Sequence, residues 1–325
     1  MLAFLLRRGI QSVMVLLIMS LIVFVGIYAL GNPIDTLISP QADQADRAKA
    51  IIALGLDKSL PEQYLSFLQG IAQGNLGDSF AYGTSALALI TQRMPATIEL
   101  AAIATLLAMV LGVPLGLWAG LRPNGMSSRT IMVGSILGFS LPTFWVGLML
   151  IMVFSVMLGW LPASGRGPTV DLFGVFPVSF LSLEGWSHLI LPAMNLALFQ
   201  IALLIRLTRA GAREAMMQDY VKFARAKGLR NRRVIGVHVL RNIMIPIVTV
   251  IGLEFGSVIA FAIVTETVFS WPGMGKLLID SINVLDRPVI VAYLLIIVTI
   301  FIVINLVVDI FYSMLDPRVR LAESE

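Results

Sequence analysis

Among the groups that could act chemically, one carboxylate stands apart: Glu254, in the apolar stretch "GLEFG". A carboxylate deep in hydrocarbon costs roughly 3 kcal/mol, so its presence there needs a reason. Facing a watery path, it could meet a substrate amine or a metal cation. Packed in a helix interface, it would be neutral or paired with a polar group on a partner. Gly252 and Gly256 form a small-xxx-small face suited to close helix packing. At 100° per residue, Glu254 points about 200° away from Gly252 and so away from that seam.

Asn195, Gln200, Asn305 and Asp309 are further polar residues in apolar surroundings, able either to line a path or to hydrogen-bond between helices. Glu99 follows Pro95 and reads as a first-turn carboxylate favoured by the helix dipole. Gly112, Gly116 and Gly120, and likewise Gly134 and Gly138, read as packing seams. The chain has no cysteine, which excludes disulfides, thiolate nucleophiles and cysteine-ligated metals. Its two histidines, His188 at an interface and His238 in a basic loop, read as positional and leave no metal site. The stretch "WPGMGKLL" from Trp271 is no phosphate-binding loop, because Ser270 holds the first glycine position and Leu277 follows the lysine. It reads as a tight turn that re-enters the membrane at the outer face.

The elements that must position these residues are membrane spans. With 58% hydrophobic and 13% charged residues, the 325-residue chain is too apolar for a soluble domain, where charged residues make up about a quarter. A pI near 9.6 could suggest nucleic acid, but the cations flank apolar spans instead of forming a soluble basic face, so membrane orientation explains them. The whole of 1–325 reads as one all-α integral membrane domain. Apolar runs of about 20 residues, the length that crosses about 30 Å of hydrocarbon, fall near 9–30, 96–121, 131–158, 189–207, 243–265 and 289–312. The first is too long for the core of a signal peptide and no clear cleavage site follows it. Sixteen of the 23 Lys and Arg lie on the side of the amino terminus, which places both termini in the cytoplasm.

The first outer segment, 31–95, reads as partly helical around "ADRAKAIIALGL", followed by an amphipathic helix over "LPEQYLSFLQGIAQG" that glycines end. The second outer segment is rich in Gly and Pro, with Trp160 and Trp186 at interface depth. No internal repeat is evident, which disfavours an inverted-repeat architecture.

The cytoplasmic segment 208–242 carries more cations than orientation requires. On a helical wheel from Arg213, Met216, Met217, Tyr220, Val221, Phe223 and Ala224 fall within about 160° of arc. The spacing predicts an amphipathic helix, a left-handed stop at Gly228, and a second helical stretch from about Arg230 to Leu240. Three readings compete for it: an orientation signal, a helix lying on anionic lipid, and an element that docks in a partner's groove.

At these residues a resemblance becomes specific. "DYVKFARAKGLRNRRVIGVHVLRNIMIP", from Asp219, resembles the cytoplasmic EAA-type loop of ATP-binding-cassette importer permeases, in the form typical of the dipeptide, oligopeptide and nickel family. "RMPATIELA" from Arg93, "GWLPASGR" from Gly159, "LIRLTRAGAREAM" from Leu204, "ETVFSWPGMGKLL" from Glu266 and "DPRVR" from Asp316 resemble the first of that family's two permeases, so the likeness covers nearly the whole chain. The general pattern puts Glu six residues before the glycine and Pro thirteen after. Here Lys222 and Arg241 stand there, as is common in the peptide and nickel branch, and a salt-bridge scheme that relies on the missing Glu does not transfer.

The resemblance implies the type I importer permease fold, with six transmembrane helices and a helix-Gly-helix coupling loop. It implies that Tyr220, Ala224, Ala226, Lys227, Gly228 and Leu229 seat the coupling helix in a cleft of the nucleotide-binding subunit, with Ala224 allowing close approach. It makes Trp271 and Gly273 candidates for the surface where an external binding protein docks, and Glu254, Asn195 and Gln200 candidates for the translocation path. The implied partners are a second, homologous permease forming a heterodimer, two ATPase subunits that hold ATP and magnesium, a periplasmic solute-binding protein and the lipid of the bacterial inner membrane. No cofactor and no nucleic acid is expected on this chain, and no catalysis. The cargo, whether dipeptide, oligopeptide, nickel complex or glutathione, is not written in the sequence. The reading from a different class is a stand-alone secondary transporter with Glu254 as its ion relay. A membrane anchor or sensor is disfavoured by six spans without a sizeable soluble output domain.

Overall fold

A computed structural model describes residues 2–29, 57–174 and 176–315, with side chains placed for 7–26, 57–174 and 176–310. The expected helix around "ADRAKAIIALGL" and the "DPRVR" stretch lie outside the described residues. The chain divides into two compact units, one from Met1–Met94 with Gly273–Val303, the other from Pro95–Pro272 with Ile304–Glu325. Five of the described helices are long and apolar enough to cross a membrane singly, and the number is six when one bent pair is counted as a single broken span.

In the first unit, α1 (Leu2–Ala29) contains a 20-residue apolar run, Arg7–Gly26. At 1.5 Å per residue that is about 30 Å, the thickness of the hydrocarbon. The amphipathic α2 (Leu60–Ala72) lies against it. Its start is fixed by Ser59, whose N–H and hydroxyl both donate to Glu62 Oε2, at 3.0 and 2.9 Å. Those hydrogen bonds, the hydroxyl's first, hold the Glu62 carboxyl below its usual pKa. One face of α2 meets α1 through Tyr64, whose hydroxyl is 2.9 Å from Ser20 Oγ, and through Phe67, whose ring centre is 5.8 Å from that of Phe24. Phe67 and Ile71 pack with Val23, Val291 and Leu295 into this unit's core. Gly74, at φ +73°, follows the end of the helix, where the sequence places a stop. Farther on, buried Asp286 accepts from the Ser79 hydroxyl and from the N–H groups of Phe80 and Ala81 at 3.1 and 3.3 Å, which ties together the approaches to two long helices.

The first of those helices, α3 (Ala86–Leu121), starts ten residues before the expected span and runs straight through Pro95. An internal proline costs about 3 kcal/mol, but full burial of one aliphatic side chain returns about 2 kcal/mol, and both Ala86 and Ile90 in the added turns are buried. The expected third span is two helices: α4 (Met126–Ser140) and α5 (Thr143–Leu150), the latter continuing as a π-helical turn over Ile151–Met157. They meet at 106°. The cause is Pro142, which lacks an N–H and drives the preceding Leu141 to an extended ψ of 135°.

A short antiparallel hairpin, β1 (Val170–Leu172) and β2 (Phe176–Val178), interrupts the helices in the second outer segment. Then α6 (Leu183–Met217) begins at Ser182, whose Oγ accepts the Gly185 N–H at 2.9 Å. It packs against α4 and against α8 (Arg241–Val268). The glycines of α3 sit on α6: a Cβ on Gly116 would lie 2.7 Å from the Ile205 carbonyl oxygen, and Gly112 and Gly120 are similarly close. That seam is therefore a close backbone approach, as expected. Gly134 and Gly138 differ, because a Cβ on either would meet nothing within 4 Å, so they form no seam among the described residues. The last helices are α9 (Met274–Asn283) and α10 (Arg287–Leu315).

Candidate docking loop and membrane cavity

Between α6 and α8 lies the basic segment. The single amphipathic helix expected from Arg213 is broken at Gln218, whose ψ of 150° ends α6 and starts the separate α7 (Asp219–Ala226). The ammonium of Lys222 donates to Asp219 Oδ1 at 2.9 Å and holds that carboxyl below its usual range. The pair is exposed, so it contributes little to stability. The stop is a Schellman motif: Gly228 N–H reaches Arg225 O at 2.9 Å, Leu229 N–H reaches Ala224 O at 3.3 Å, and Gly228 holds φ +74°. A short turn (Asn231–Arg233) and a π-helical stretch (Val234–Leu240) then lead into α8.

The break divides the expected apolar face. Val221 and Ala224, 0% and 4% exposed, turn inward, and α7 packs on the π-helical stretch and on α6. Ala224 is thus spent on the chain's own packing and offers no close approach to a partner. Tyr220 and Phe223 are outside, at 39% and 62% exposed, and the Lys227 ammonium lies 4.5 Å from the Phe223 ring centre. Ala226, Lys227 and Gly228 are exposed, and Leu229 is half-buried. Sequence reasoning assigned Phe223 to the apolar face but did not single it out for docking. Its exposure follows from the α6–α7 break, which no periodicity signals.

The second constellation is a cavity of about 460 Å³ in the Pro95–Pro272 unit. One face of α8 lines it with Glu254, Ser257, Val258, Phe261, Val264 and Thr265, the i, i+3, i+4, i+7 spacing of a single stripe. Leu196, Phe199 and Gln200 of α6 and Thr143 of α5 complete the lining. Glu254 indeed points away from Gly252, where an added Cβ would be 2.5 Å from Val308. Gln200, only 3% exposed, leaves its Oε1 without a hydrogen-bond partner among the described residues. Asn195 sits behind the lining: its Nδ2 donates to Thr265 Oγ1 at 2.9 Å, and its Oδ1 is also unpartnered among the described residues. Two of the three path candidates therefore line one cavity, and the third supports its wall.

Glu99 has a different environment from the expected one. It lies in the fourth turn of α3, not the first, and is buried among donors. Arg166 Nε reaches it at 2.9 Å and Arg166 Nη2 adds a second bond. The Ser179 N–H and hydroxyl follow at 2.6 and 2.9 Å, and the Phe180 N–H at 3.0 Å. Arg166 Nη2 also donates to the Pro177 carbonyl at 2.6 Å, so one carboxylate fixes the outer hairpin. His188 adds to this frame with a ring nitrogen 3.0 Å from the Ser164 carbonyl oxygen.

The expected binding-protein contacts are likewise interior. Trp271 is fully buried, and its indole N–H donates to the Ala96 carbonyl at 2.9 Å. Gly273 is buried and caps the start of α9. Neither presents a surface to a partner. The indole is spent on joining this turn to α3.

Residues 112–321 match the model of the family described as "Binding-protein-dependent transport system inner membrane component", and residues 1–101 match that of its N-terminal region. The chain is 42% identical over 305 residues to the di/tripeptide transport system permease protein DppB of Pseudomonas aeruginosa, covering 89% of this chain and 90% of that one. It is 38% identical to the oligopeptide transport system permease protein AppB of Bacillus subtilis, over 98% of this chain and 99% of the relative. It is 36% identical to the glutathione transport system permease protein GsiC of Pectobacterium atrosepticum, over 98% and 99%. Among solved structures, a chain of the MetNI methionine ABC transporter in inward-facing conformations superposes with a TM-score of 0.53 at 13% identity, covering 71% of this chain and 97% of that one, a likeness of fold.

Proposed function

Because this chain belongs to the family of binding-protein-dependent transport system inner membrane components, as a permease subunit of an ATP-binding-cassette importer, we propose that it supplies half of a translocation path for di- and oligopeptides. The observation that carries the cargo class is the match, over nearly the full length, to relatives named for dipeptides, di/tripeptides and oligopeptides. Glutathione, named for another relative, is itself a tripeptide and fits the same class. The stand-alone ion-coupled transporter draws no support from these relatives.

The system of such a permease includes ATPase and substrate-binding partners. In the proposed assembly a second, homologous permease completes the path and two ATPase subunits hold ATP and Mg²⁺ and carry out the hydrolysis. An external binding protein delivers the cargo. The chain is a multi-pass membrane protein. The Lys and Arg excess on the side of the amino terminus supports cytoplasmic termini and a cytoplasmic α7, in a bacterial inner membrane. There the ridge of Tyr220, Phe223, Ala226, Lys227 and Gly228 enters a groove of the ATPase subunit, a helix-in-groove contact with aromatic anchors. Closure of the ATPases on ATP then moves α7 and, through Val221 and Ala224, the ends of α6 and α8.

The test is transport in vesicles that contain both permeases and both ATPase subunits, supplied with the binding protein. ATP-dependent uptake of labelled dipeptides is expected. Uptake by this chain alone on a proton gradient, unchanged when the ATPase subunits are added, would overturn the reading.

A further inference from the structure

The cavity beside Glu254 has a polarity that the permease reading leaves unexplained. Its one ionisable lining group is the Glu254 carboxylate, which makes no hydrogen bond among the described residues. The carboxylate accepts through two oxygens, and a primary ammonium has three N–H donors to give. A buried acceptor without a partner carries a desolvation cost that a bound donor relieves. The rest of the wall is largely apolar, with Leu196, Phe199, Val258, Phe261 and Val264 beside Gln200 and the hydroxyls of Thr143, Ser257 and Thr265. A hard divalent metal takes about six or more oxygen ligands, and among the described residues no cluster of three His, Cys, Asp or Glu is placed to hold one. The volume of about 460 Å³ lies in the range of small-molecule pockets.

We propose that this cavity is a cargo subsite inside the membrane that receives the primary ammonium of a peptide on Glu254, with the adjoining apolar side chain against Phe199 and Phe261. The proposal rests on the peptide-permease reading and adds to it a residue-level site within the path. Attraction of the ammonium offsets the cost of holding Glu254 ionised in an apolar setting, and the carboxylate repels cargo whose leading group is anionic.

The natural absence of cysteine from this chain gives a direct test. In the assembled transporter, Ser257→Cys places this subunit's sole thiol on the cavity wall. Its labelling rates with a cationic and an anionic methanethiosulfonate reagent are measured by subunit mass, each normalised to its rate with a free thiol. The cationic reagent is expected to react at least tenfold faster, and adding Glu254→Gln should bring the ratio near one. Millimolar alanylalanine should slow labelling. N-acetylalanylalanine should leave the rate unchanged. Equal rates for the two reagents, protection by the acetylated dipeptide, or no labelling by either reagent because another protein fills the cavity would each overturn the proposal. ATP-driven dipeptide uptake by the same wild-type assembly, measured in parallel, separates these failures from a failure of the permease reading.

Discussion

Glu99 and Glu254 are both carboxylates on long apolar helices, yet their surroundings are opposite. Glu99 is met by five donor contacts from Arg166, Ser179 and Phe180 and is 3% exposed. Glu254 is half-buried on a largely apolar cavity and makes no hydrogen bond among the described residues. A carboxylate surrounded by donors does structural work, because its charge is already spent on its own chain. One that the described residues leave without a donor is open to a donor that arrives from elsewhere. Burial alone does not separate the two roles; hydrogen-bond satisfaction does.

The largest effect is therefore expected at the satisfied site. Glu99→Ala strands the Arg166 guanidinium in the interior, and removing one partner of a buried pair costs about 3–5 kcal/mol. Thermal unfolding of the purified complex should show a sharp loss of stability and the outer hairpin should become protease-sensitive. Near-wild-type stability would mean that the network is not holding β1 and β2. A smaller loss, about 1–3 kcal/mol from overpacking, is expected for Gly116→Leu, since any Cβ there meets the Ile205 carbonyl and Thr208 at 2.7 Å. Gly134→Leu serves as its control and should not destabilise this chain's own fold, because nothing lies within 4 Å of its Cβ.

The docking loop sharpens the comparison in another way. A Cβ on Gly228 has open space, so Gly228→Val brings no clash, only the strain of a β-branched residue at φ +74°. That strain is about 1–2 kcal/mol and is local to the Schellman stop. Membrane insertion should survive, while ATP hydrolysis continues without matching peptide uptake. Normal coupled transport in that variant would remove α7 from the coupling role.

Much of this was legible in the sequence. The lengths of the apolar runs marked where the helices lie, and Gly228 announced its own left-handed turn. The 200° offset on the wheel put Glu254 opposite Gly252, as the fold does. What stayed hidden depends on distance along the chain. Glu99 finds Arg166 and Ser179 some 67 and 80 residues away, and Ser79 finds Asp286 across 207. No local pattern encodes such pairings. Trp271 was misplaced for the same reason, since its partner is the carbonyl of Ala96. The hairpin strands are three residues each, too short for alternation to show. The break at Gln218 had no proline or glycine to mark it, so a continuous wheel placed Val221 and Tyr220 on one face. The fold buries Val221 and leaves Tyr220 39% exposed.

The smallest expected change in stability, and the most telling one, is at Glu254. A carboxylate that its own chain satisfies stabilises the fold, while one on a largely apolar wall that makes no hydrogen bond among the described residues burdens it, because charge is costly to desolvate. Glu254→Gln removes that charge at nearly constant shape. The complex should therefore unfold at the same temperature or slightly above, a change within about 0.5 kcal/mol or a modest gain. The corresponding Glu99→Gln change should lower it measurably, because the amide cannot accept all the bonds that Arg166, Ser179 and Phe180 donate. Unfolding measured side by side under one condition decides the matter. If Glu254→Gln destabilises as much as Glu99→Gln, then Glu254 is also spent on structure, and the contrast between a satisfied and a waiting carboxylate fails.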